Sequence, residues 1–134
     1  MYNENKTKMR EIKFRGKCLN SGNWVYGYYA VFTGKNIIYV DWEAYEVIPE
    51  SVGQFTGLKD KNGVDIYEGD MVKDDRFAYK VEHNQQNTKF AINPLYKLST
   101  KKYNIIDCIN YDTLGNGYYS RKDLEVIGNI HENV

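Results

Sequence analysis

The sequence predicts a mainly β protein, built from small β-barrel or sandwich-like subdomains that share a core, with at most one short helix. Tyrosine accounts for 13 of the 134 residues and aromatic residues for 15%. This composition suits half-buried strands, because the tyrosine ring packs while its hydroxyl reaches water. Short runs of aromatic and β-branched residues also recur along the chain, and clusters of glycine, asparagine and aspartate separate them.

The first forty residues predict a meander of three strands. Residues 12–17 alternate apolar and basic side chains, which predicts a strand with one apolar face and one solvated basic face. The turn cluster 19–23 leads into a dense aromatic run at 24–32. A second turn at 33–36 precedes the third strand.

The stretch VGQFTGLKDKNGVDIYEGDMV, residues 52–72, predicts a hairpin followed by another strand. Asn62-Gly63 is a strong hairpin signal, because both residues tolerate the positive φ of a type I′ turn. Residues 68–70 form a second tight turn in this prediction. The preceding segment, 41–52, predicts a turn and a short strand that ends before Pro49.

The second half of the chain is less regular in its pattern. We expect strands around 78–83, from about residue 88, and at the C-terminal LEVIGNI, and no internal repeat is present. A mixed α+β fold with one helix within 93–111 remains the alternative. The predicted organisation is a flexible tail at 1–8 and a β domain at 9–134, with subdomains of about 9–50 and 51–134.

The charge is balanced overall and unevenly placed along the chain. There are 18 basic and 18 acidic residues, which argues against a duplex-binding protein. Residues 1–17 carry six basic residues against two acids, a net of +4; residues 41–75 carry ten acids against three lysines, a net of −7. This asymmetry is compatible with self-association or a basic partner, and equally with solvated faces.

The sequence predicts a cytoplasmic protein that does not enter membranes. No run approaches 18 apolar residues, and the N-terminus has charges where a signal peptide needs an apolar segment. Cys18 and Cys108 have no metal-ligand or redox spacing, so we expect both to be reduced, small buried hydrophobes.

Neither a metal site nor a catalytic constellation is visible, so we expect no enzyme activity and no cofactor. Counted as a calcium loop from Asp60, position 5 is Val64 and glycine comes too early. His83 and His131 lack ligand spacing, and we expect both to be solvent-exposed at strand ends. A pair of carboxylates acting as acid and base is left open, because any acid-rich β protein can assemble one.

Binding of single-stranded nucleic acid is the alternative function. Basic residues alternate with aromatics in KMREIKFRGK and in YKLSTKKY, and small β-barrels bind single strands on such platforms. The candidate contacts are Lys13, Arg15, Lys101 and Lys102.

Three segments carry a resemblance to a known family. REIKFRGK from Arg10, the stretch at 52–72 and LEVIGNIHEN at the end of the chain, in this order and spacing, resemble the YopX family of bacteriophage and prophage proteins. The resemblance spans nearly all of residues 9–133. It implies a small, β-rich, oligomeric protein inside a bacterial cell, with no established activity and therefore no catalytic residues to transfer. This chain has IHEN where the family more often has an aromatic before Glu-Asn.

The shared segments favour a structural role. The glycines at positions 53, 57, 63, 69 and 128 are expected where backbones bend, bulge or approach closely. The predicted core is Phe14, Trp24, Phe55, Ile66, Tyr67, Val72, Val126 and Ile127. The leading hypothesis is a non-enzymatic, oligomeric phage protein that binds a phage or host protein, with Glu68 and Asp70 as candidate partner contacts.

Overall fold

The computed structural model describes residues 11–75, 78–84, 89–94, 103–104 and 124–132. Within these ranges the chain forms eleven strands and one turn of 3-10 helix at Pro49–Ser51. The strands are β1 (Phe14–Lys17), β2 (Trp24–Phe32), β3 (Lys35–Val40), β4 (Glu43–Glu46), β5 (Gly53–Lys59), β6 (Asp65–Tyr67), β7 (Asp70–Lys73), β8 (Ala78–Asn84), β9 (Lys89–Pro94), β10 (Tyr103–Asn104) and β11 (Glu125–Asn129).

The strands form two antiparallel sheets. The first has six strands in the order β4-β3-β2-β1-β5-β6, and the second has five in the order β10-β9-β8-β7-β11. The predicted mainly β fold is confirmed, and the described strands form open sheets rather than a closed barrel. Of the predicted alternative helix at 93–111, residues 93–94 and 103–104 are in strands, and the rest lie outside the described residues.

The main core lies where the β5–β6 hairpin packs against the second sheet. Its buried members come from both sheets: Ile66, Val72, Tyr79, Val81, Phe90, Ile92 and Leu124. Leu58 and Val126 pack against this cluster from β5 and β11. Because Ile66 belongs to the first sheet and the other strand residues to the second, the two sheets share one hydrophobic core.

The turn of the β5–β6 hairpin differs from the prediction. Gly63 has a φ of +81°, but Asn62 does not have positive φ, so the predicted type I′ turn is wrong. The Gly63 N–H donates to the Asp60 carbonyl at 3.0 Å, and the Asp60 Oδ1 accepts the N–H groups of Asn62 and Val64 at 2.8 and 2.9 Å. This is a three-residue loop in which glycine alone takes the left-handed conformation.

The same aspartate connects the hairpin to the C-terminal strand. The Asp60 Oδ2 accepts the N–H of Val126 at 2.9 Å, and the Lys61 N–H donates to the Leu124 carbonyl at 2.9 Å. Burial by itself would raise the pKa of Asp60, but the three backbone N–H donors outweigh it and lower the pKa. The turn between β5 and β6 is therefore also a junction between the sheets.

The predicted core is correct in the hairpin and wrong at one position of the last strand. Phe55, Ile66, Tyr67 and Val72 are buried, whereas Ile127 is 47% exposed. The remaining predicted members, Phe14, Trp24 and Val126, are half-buried. The register of β11 against β7 shifts between Val126 and Gly128. Because Val126 packs against the core, Ile127 points to the opposite face, as strand alternation requires, and the bulge shifts the register only after it.

Candidate functional site

Two residues that the sequence assigned to different functions form one buried ion pair. The Arg15 Nη2 lies 2.8 Å from the Asp70 Oδ1, and both side chains are almost inaccessible. Arg15, a candidate nucleic-acid contact, is 5% exposed, and Asp70, a candidate partner contact, is 1% exposed. The predicted solvated basic face of residues 12–17 is therefore wrong at Arg15.

The strand register positions both partners. Arg15 lies between β2 and β5, opposite Tyr26 on one side and Gly53 on the other. Asp70 begins β7 directly after Gly69, whose φ of +91° allows the chain to leave the first sheet and start the second. The Asp70 Oδ2 also accepts the Tyr67 N–H at 2.7 Å, which fixes the carboxylate across the turn.

Aromatic rings enclose the Arg15 guanidinium. Its Cζ lies 4.9 Å from the centre of the Trp24 ring and 5.0 Å from that of Tyr67, within the range of a cation–π interaction. The ring of Tyr26 packs on Tyr67 with 5.6 Å between centroids. Among the described residues, the Arg15 Nε is the buried side-chain atom that has no hydrogen-bond partner.

These groups line a cleft of about 520 Å³. Lys13 and Lys59 also line it, and their Nζ atoms lie 2.9 and 2.6 Å from the two oxygens of Asp65. Two lysines therefore share one carboxylate at this position. The other wall includes residues near the C-terminus: Val126, Gly128, Asn129 and Glu132.

Burial and charge shift the protonation of this cleft in opposite directions. Burial raises the pKa of Asp70, and the Arg15 charge and the Tyr67 N–H oppose this shift without cancelling it. Burial also acts to raise the pKa of Asp65, but the hydrogen bonds from Lys59 and Lys13 prevail and lower it. The hydrogen bond that Lys13 donates to Asp65 raises the pKa of Lys13.

An exposed sheet face continues from the cleft across the outer strands. Residues directly opposite each other in a sheet lie on the same face, and the register pairs Tyr28 with Tyr39 and Ala30 with Ile37. We define the aromatic face by seven uncharged residues on this side of β2, β3 and β4: Tyr26, Tyr28, Ala30, Phe32, Ile37, Tyr39 and Ala44. Tyr26 belongs both to this face and to the cleft.

The aromatic face is exposed and uncharged over most of its length. Tyr28 is 73% exposed and Phe32 is 63% exposed. Charged residues join this side at the end near the β2–β3 turn, where Lys35 pairs with Phe32 and Glu46 pairs with Ile37. The opposite side of the same strands is covered better: Ile38 is fully buried and Tyr29 packs on Phe14 with 5.3 Å between ring centroids.

The two histidines share a second cleft, which the sequence did not predict. This cleft, of about 410 Å³, is lined by His83, His131, Glu50, Glu68 and Lys80 among others. Both histidines are half-buried, so their predicted solvent exposure is wrong. His83 packs on Phe90 with 4.9 Å between ring centroids. Burial, with the nearby charges of Arg15 and Lys80, lowers the pKa of His131.

The remaining candidate residues are placed less centrally. Glu68 is half-buried at the turn before β7, and its carbonyl accepts a hydrogen bond from the Arg15 Nη2 at 3.4 Å. Lys101 and Lys102 lie outside the described residues, as does Cys108, while Cys18 is a buried free thiol. Cys18 is therefore buried and reduced as predicted, whereas the contact roles of Glu68, Lys101 and Lys102 stay predictions.

Residues 11–75, 78–84, 89–94, 103–104 and 124–132 contain no group of three or more histidine, cysteine, aspartate or glutamate side chains arranged to hold a metal ion. In the same ranges no helix has the length and apolar character needed to cross a membrane.

The described residues define a small β protein of two open sheets, with an aromatic sheet face that leads into a cleft around a buried ion pair. Residues 3–134 match the family model described as YopX protein, and the chain belongs to the YopX family. No curated protein matches this chain.

Proposed function

We propose that this chain is a non-enzymatic accessory protein, encoded by a phage or prophage, that acts in the bacterial cytosol by binding protein and by self-assembly. The origin and the location follow from what the YopX resemblance implies. The binding role rests on one observation, the aromatic face. The charged groups of the adjoining cleft are engaged with one another, Arg15 with Asp70 and Lys13 with Asp65, which suits a structural site better than a reactive one.

The aromatic face supports protein binding because of its size and its composition. β2 is nine residues long, about 30 Å at the rise of a strand. Soluble proteins seldom leave a continuous apolar surface of this kind exposed unless it contacts a partner. Tyrosine and phenylalanine are also enriched in protein interfaces.

The uneven charge of the sequence does not supply this binding surface. Lys13 and Arg15 of the basic segment pair with Asp65 and Asp70 of the acidic segment, at 2.9 and 2.8 Å. The two oppositely charged segments therefore attract each other within one chain. The proposal rests on the aromatic face instead.

The same pairs bear on the alternative of single-stranded nucleic-acid binding. A phosphate contact needs an accessible cation, and Arg15 is buried while Lys13 lies over the ring of Phe55 at 4.8 Å and is paired with Asp65. No geometric observation among the described residues favours nucleic acid over protein as the ligand of the aromatic face.

The test is a pull-down in which one face of β2 is changed at a time. The tagged full chain and its Tyr28→Thr/Phe32→Thr variant are exposed to lysate of phage-infected bacteria after nuclease treatment. Threonine keeps the preference for strands. We expect the unchanged chain to retain a defined protein, which can be additional copies of itself, and the variant to lose it.

Val31 provides the matched control. It is adjacent to Phe32 and equally exposed, at 61% against 63%, but it lies on the opposite side of the strand. Val31→Thr should leave binding unchanged. Equal loss in both variants would contradict the assignment to the aromatic face, and binding that disappears with nuclease would support nucleic acid instead.

A further inference from the structure

The tip of the β3–β4 hairpin presents an aromatic side chain that no described residue covers. Trp42 is 101% exposed, and it follows Asp41, whose φ of +52° lies in the left-handed region. Aspartate is among the few residues that take this conformation readily. Tryptophan is the residue type most typical of binding hot spots, so a fully exposed tryptophan at a tight turn calls for a binding partner.

The acceptor for such a side chain is present in the same chain. The cleft around Arg15 has walls of aromatic rings, Trp24, Tyr26 and Tyr67, and its volume is about 520 Å³. At its rim, Lys13 and Lys59 share the single carboxylate of Asp65. The cleft also contains the buried Arg15–Asp70 pair and Glu132.

The charges of tip and rim are complementary. Asp41 and Glu43 flank Trp42 on the exposed tip, and the Glu43 carboxylate accepts a hydrogen bond from the Tyr45 hydroxyl within the same hairpin. Glu43 pairs with Val40 and lies on the side opposite Tyr39 and Ala44, so Asp41 is the tip carboxylate that faces the two lysines of the cleft. Since the whole chain has a formal net charge of zero, two copies do not repel each other through their total charge.

Within the sheet, the hairpin tip lies on the β3 side of β2 and the cleft lies on the β1 side. Both are at the same position along the direction of the strands. Tyr39 pairs with Tyr28 in the antiparallel register of β2 and β3. Asp41 and Trp42 follow Tyr39 by two and three residues, so they lie about level with Tyr26. Tyr26 in turn pairs with Arg15 of the cleft. With neighbouring strands about 4.8 Å apart, the tip between β3 and β4 and the cleft beginning at β1 lie within about 5–10 Å of β2.

We infer that the partner of the aromatic face is a second copy of this chain, and that Trp42 of each copy inserts into the Arg15 cleft of the other. This inference rests on the proposed function. A two-fold axis that runs parallel to β2 and lies between the two copies packs their aromatic faces together. The same rotation carries each hairpin tip from one side of β2 to the other, onto the partner's cleft. Reciprocal contacts of this kind are those of a closed, two-fold symmetric dimer.

The experiment measures the dimer dissociation constant of the full chain by sedimentation equilibrium. Trp42→Ser should raise it at least about 30-fold, the loss that defines a binding hot spot. Leu19→Ser is the control: Leu19 is another exposed apolar turn residue, 54% accessible, outside the aromatic face and the cleft. It should leave the dissociation constant unchanged.

A charge exchange identifies the acceptor. Lys59→Glu and Asp41→Lys should each weaken the dimer, because each places like charges across the contact. The double variant Lys59→Glu/Asp41→Lys should restore it to within about threefold of the original, since each copy then offers the reversed pair.

The outcomes separate this inference from the proposed function. A dimer that dissociates in Tyr28→Thr/Phe32→Thr but keeps its affinity in Trp42→Ser overturns the insertion and leaves the aromatic face as an interface. A monomer that retains a different protein through that face overturns self-association alone. A monomer that retains no protein overturns both.

Discussion

Replacing Asp70 with asparagine removes the carboxylate that faces the buried Arg15 guanidinium and changes little else in shape. The Nη2–Oδ1 distance is 2.8 Å and the two side chains are 6% and 2% exposed. Removing one member of a buried pair leaves an uncompensated charge and costs about 3–5 kcal/mol. A domain has about 5–15 kcal/mol in total, so Asp70→Asn should fold with a much lower denaturation midpoint.

The partner variants complete a double-mutant cycle. Arg15→Met leaves a buried carboxylate, which can take up a proton, whereas the guanidinium in Asp70→Asn cannot release one. The Arg15→Met/Asp70→Asn variant contains neither charge and should be more stable than Asp70→Asn alone. Urea denaturation followed by circular dichroism gives the free energy of unfolding for each variant.

The dependence on pH separates the two single variants. Burial already raises the pKa of Asp70 in the presence of Arg15, and loss of the cation raises it further. A carboxyl with a raised folded pKa contributes stability that is present below its unfolded pKa, near 4, and is lost as pH rises through the folded pKa. The cost of Arg15→Met should therefore shrink towards pH 4, whereas that of Asp70→Asn should grow, because this variant lacks the carboxyl through which the unchanged chain gains stability there. Additive costs in the cycle, or a cost for Asp70→Asn under about 1 kcal/mol, would refute the buried pair.

Three further variants and conditions test the fold. Asp60→Asn places an amide N–H against the Val126 N–H and should cost about 1–3 kcal/mol of unfolding free energy, as measured by urea denaturation. Because the Asp60 pKa is lowered, its stabilisation is present above about pH 4 and is lost as pH falls through the folded pKa, so an acid titration should be flatter in Asp60→Asn than in the unchanged chain. Gly27→Ala places a Cβ 2.0 Å from the Tyr39 carbonyl oxygen and should prevent β2–β3 pairing. The control Gly22→Ala meets no atom within 4 Å and should cost about 1 kcal/mol of unfolding free energy for its φ of +75°. A Gly27→Ala variant that is soluble and folded by circular dichroism would contradict this close approach.

Local sequence patterns predicted most of the strands, because strand formation in this chain follows the residue types and their alternation within each short run. The aromatic run at 24–32 is β2 residue for residue, and the strand predicted before Pro49 is β4. The exposure of Ile127 follows from alternation with Val126, whereas the register shift after it was not predictable, since it depends on the partner strand β7. The turn at Asn62-Gly63 was predicted as a turn but not in type, because the Asp60 carboxylate determines it.

The candidate site was less predictable, because its partners are distant in sequence. Arg15 and Asp70 are separated by more than fifty residues. Alternation along β1 shows which side chains share a face, but it does not show whether that face is exposed to solvent. The signal for this pair in the sequence was the opposite net charge of the two segments that contain it, residues 1–17 and 41–75. The sharing of one cleft by His83 and His131 depends on the turn after β11, where the Ile130 N–H donates to the Gly69 carbonyl at 3.0 Å. Neither histidine's neighbours in sequence indicate this contact.

The edge of the first sheet has a consequence for how copies of this chain can assemble. β4 is its outermost strand, and it begins and ends with glutamate. When two such strands meet antiparallel with all four residues paired, Glu43 of one lies opposite Glu46 of the other, and like charges directly across a ladder are destabilising. The sheet therefore resists growth from edge to edge, the route by which exposed strands form fibrils. A protein with so much uncovered aromatic surface can in this way associate face to face and still remain a finite particle.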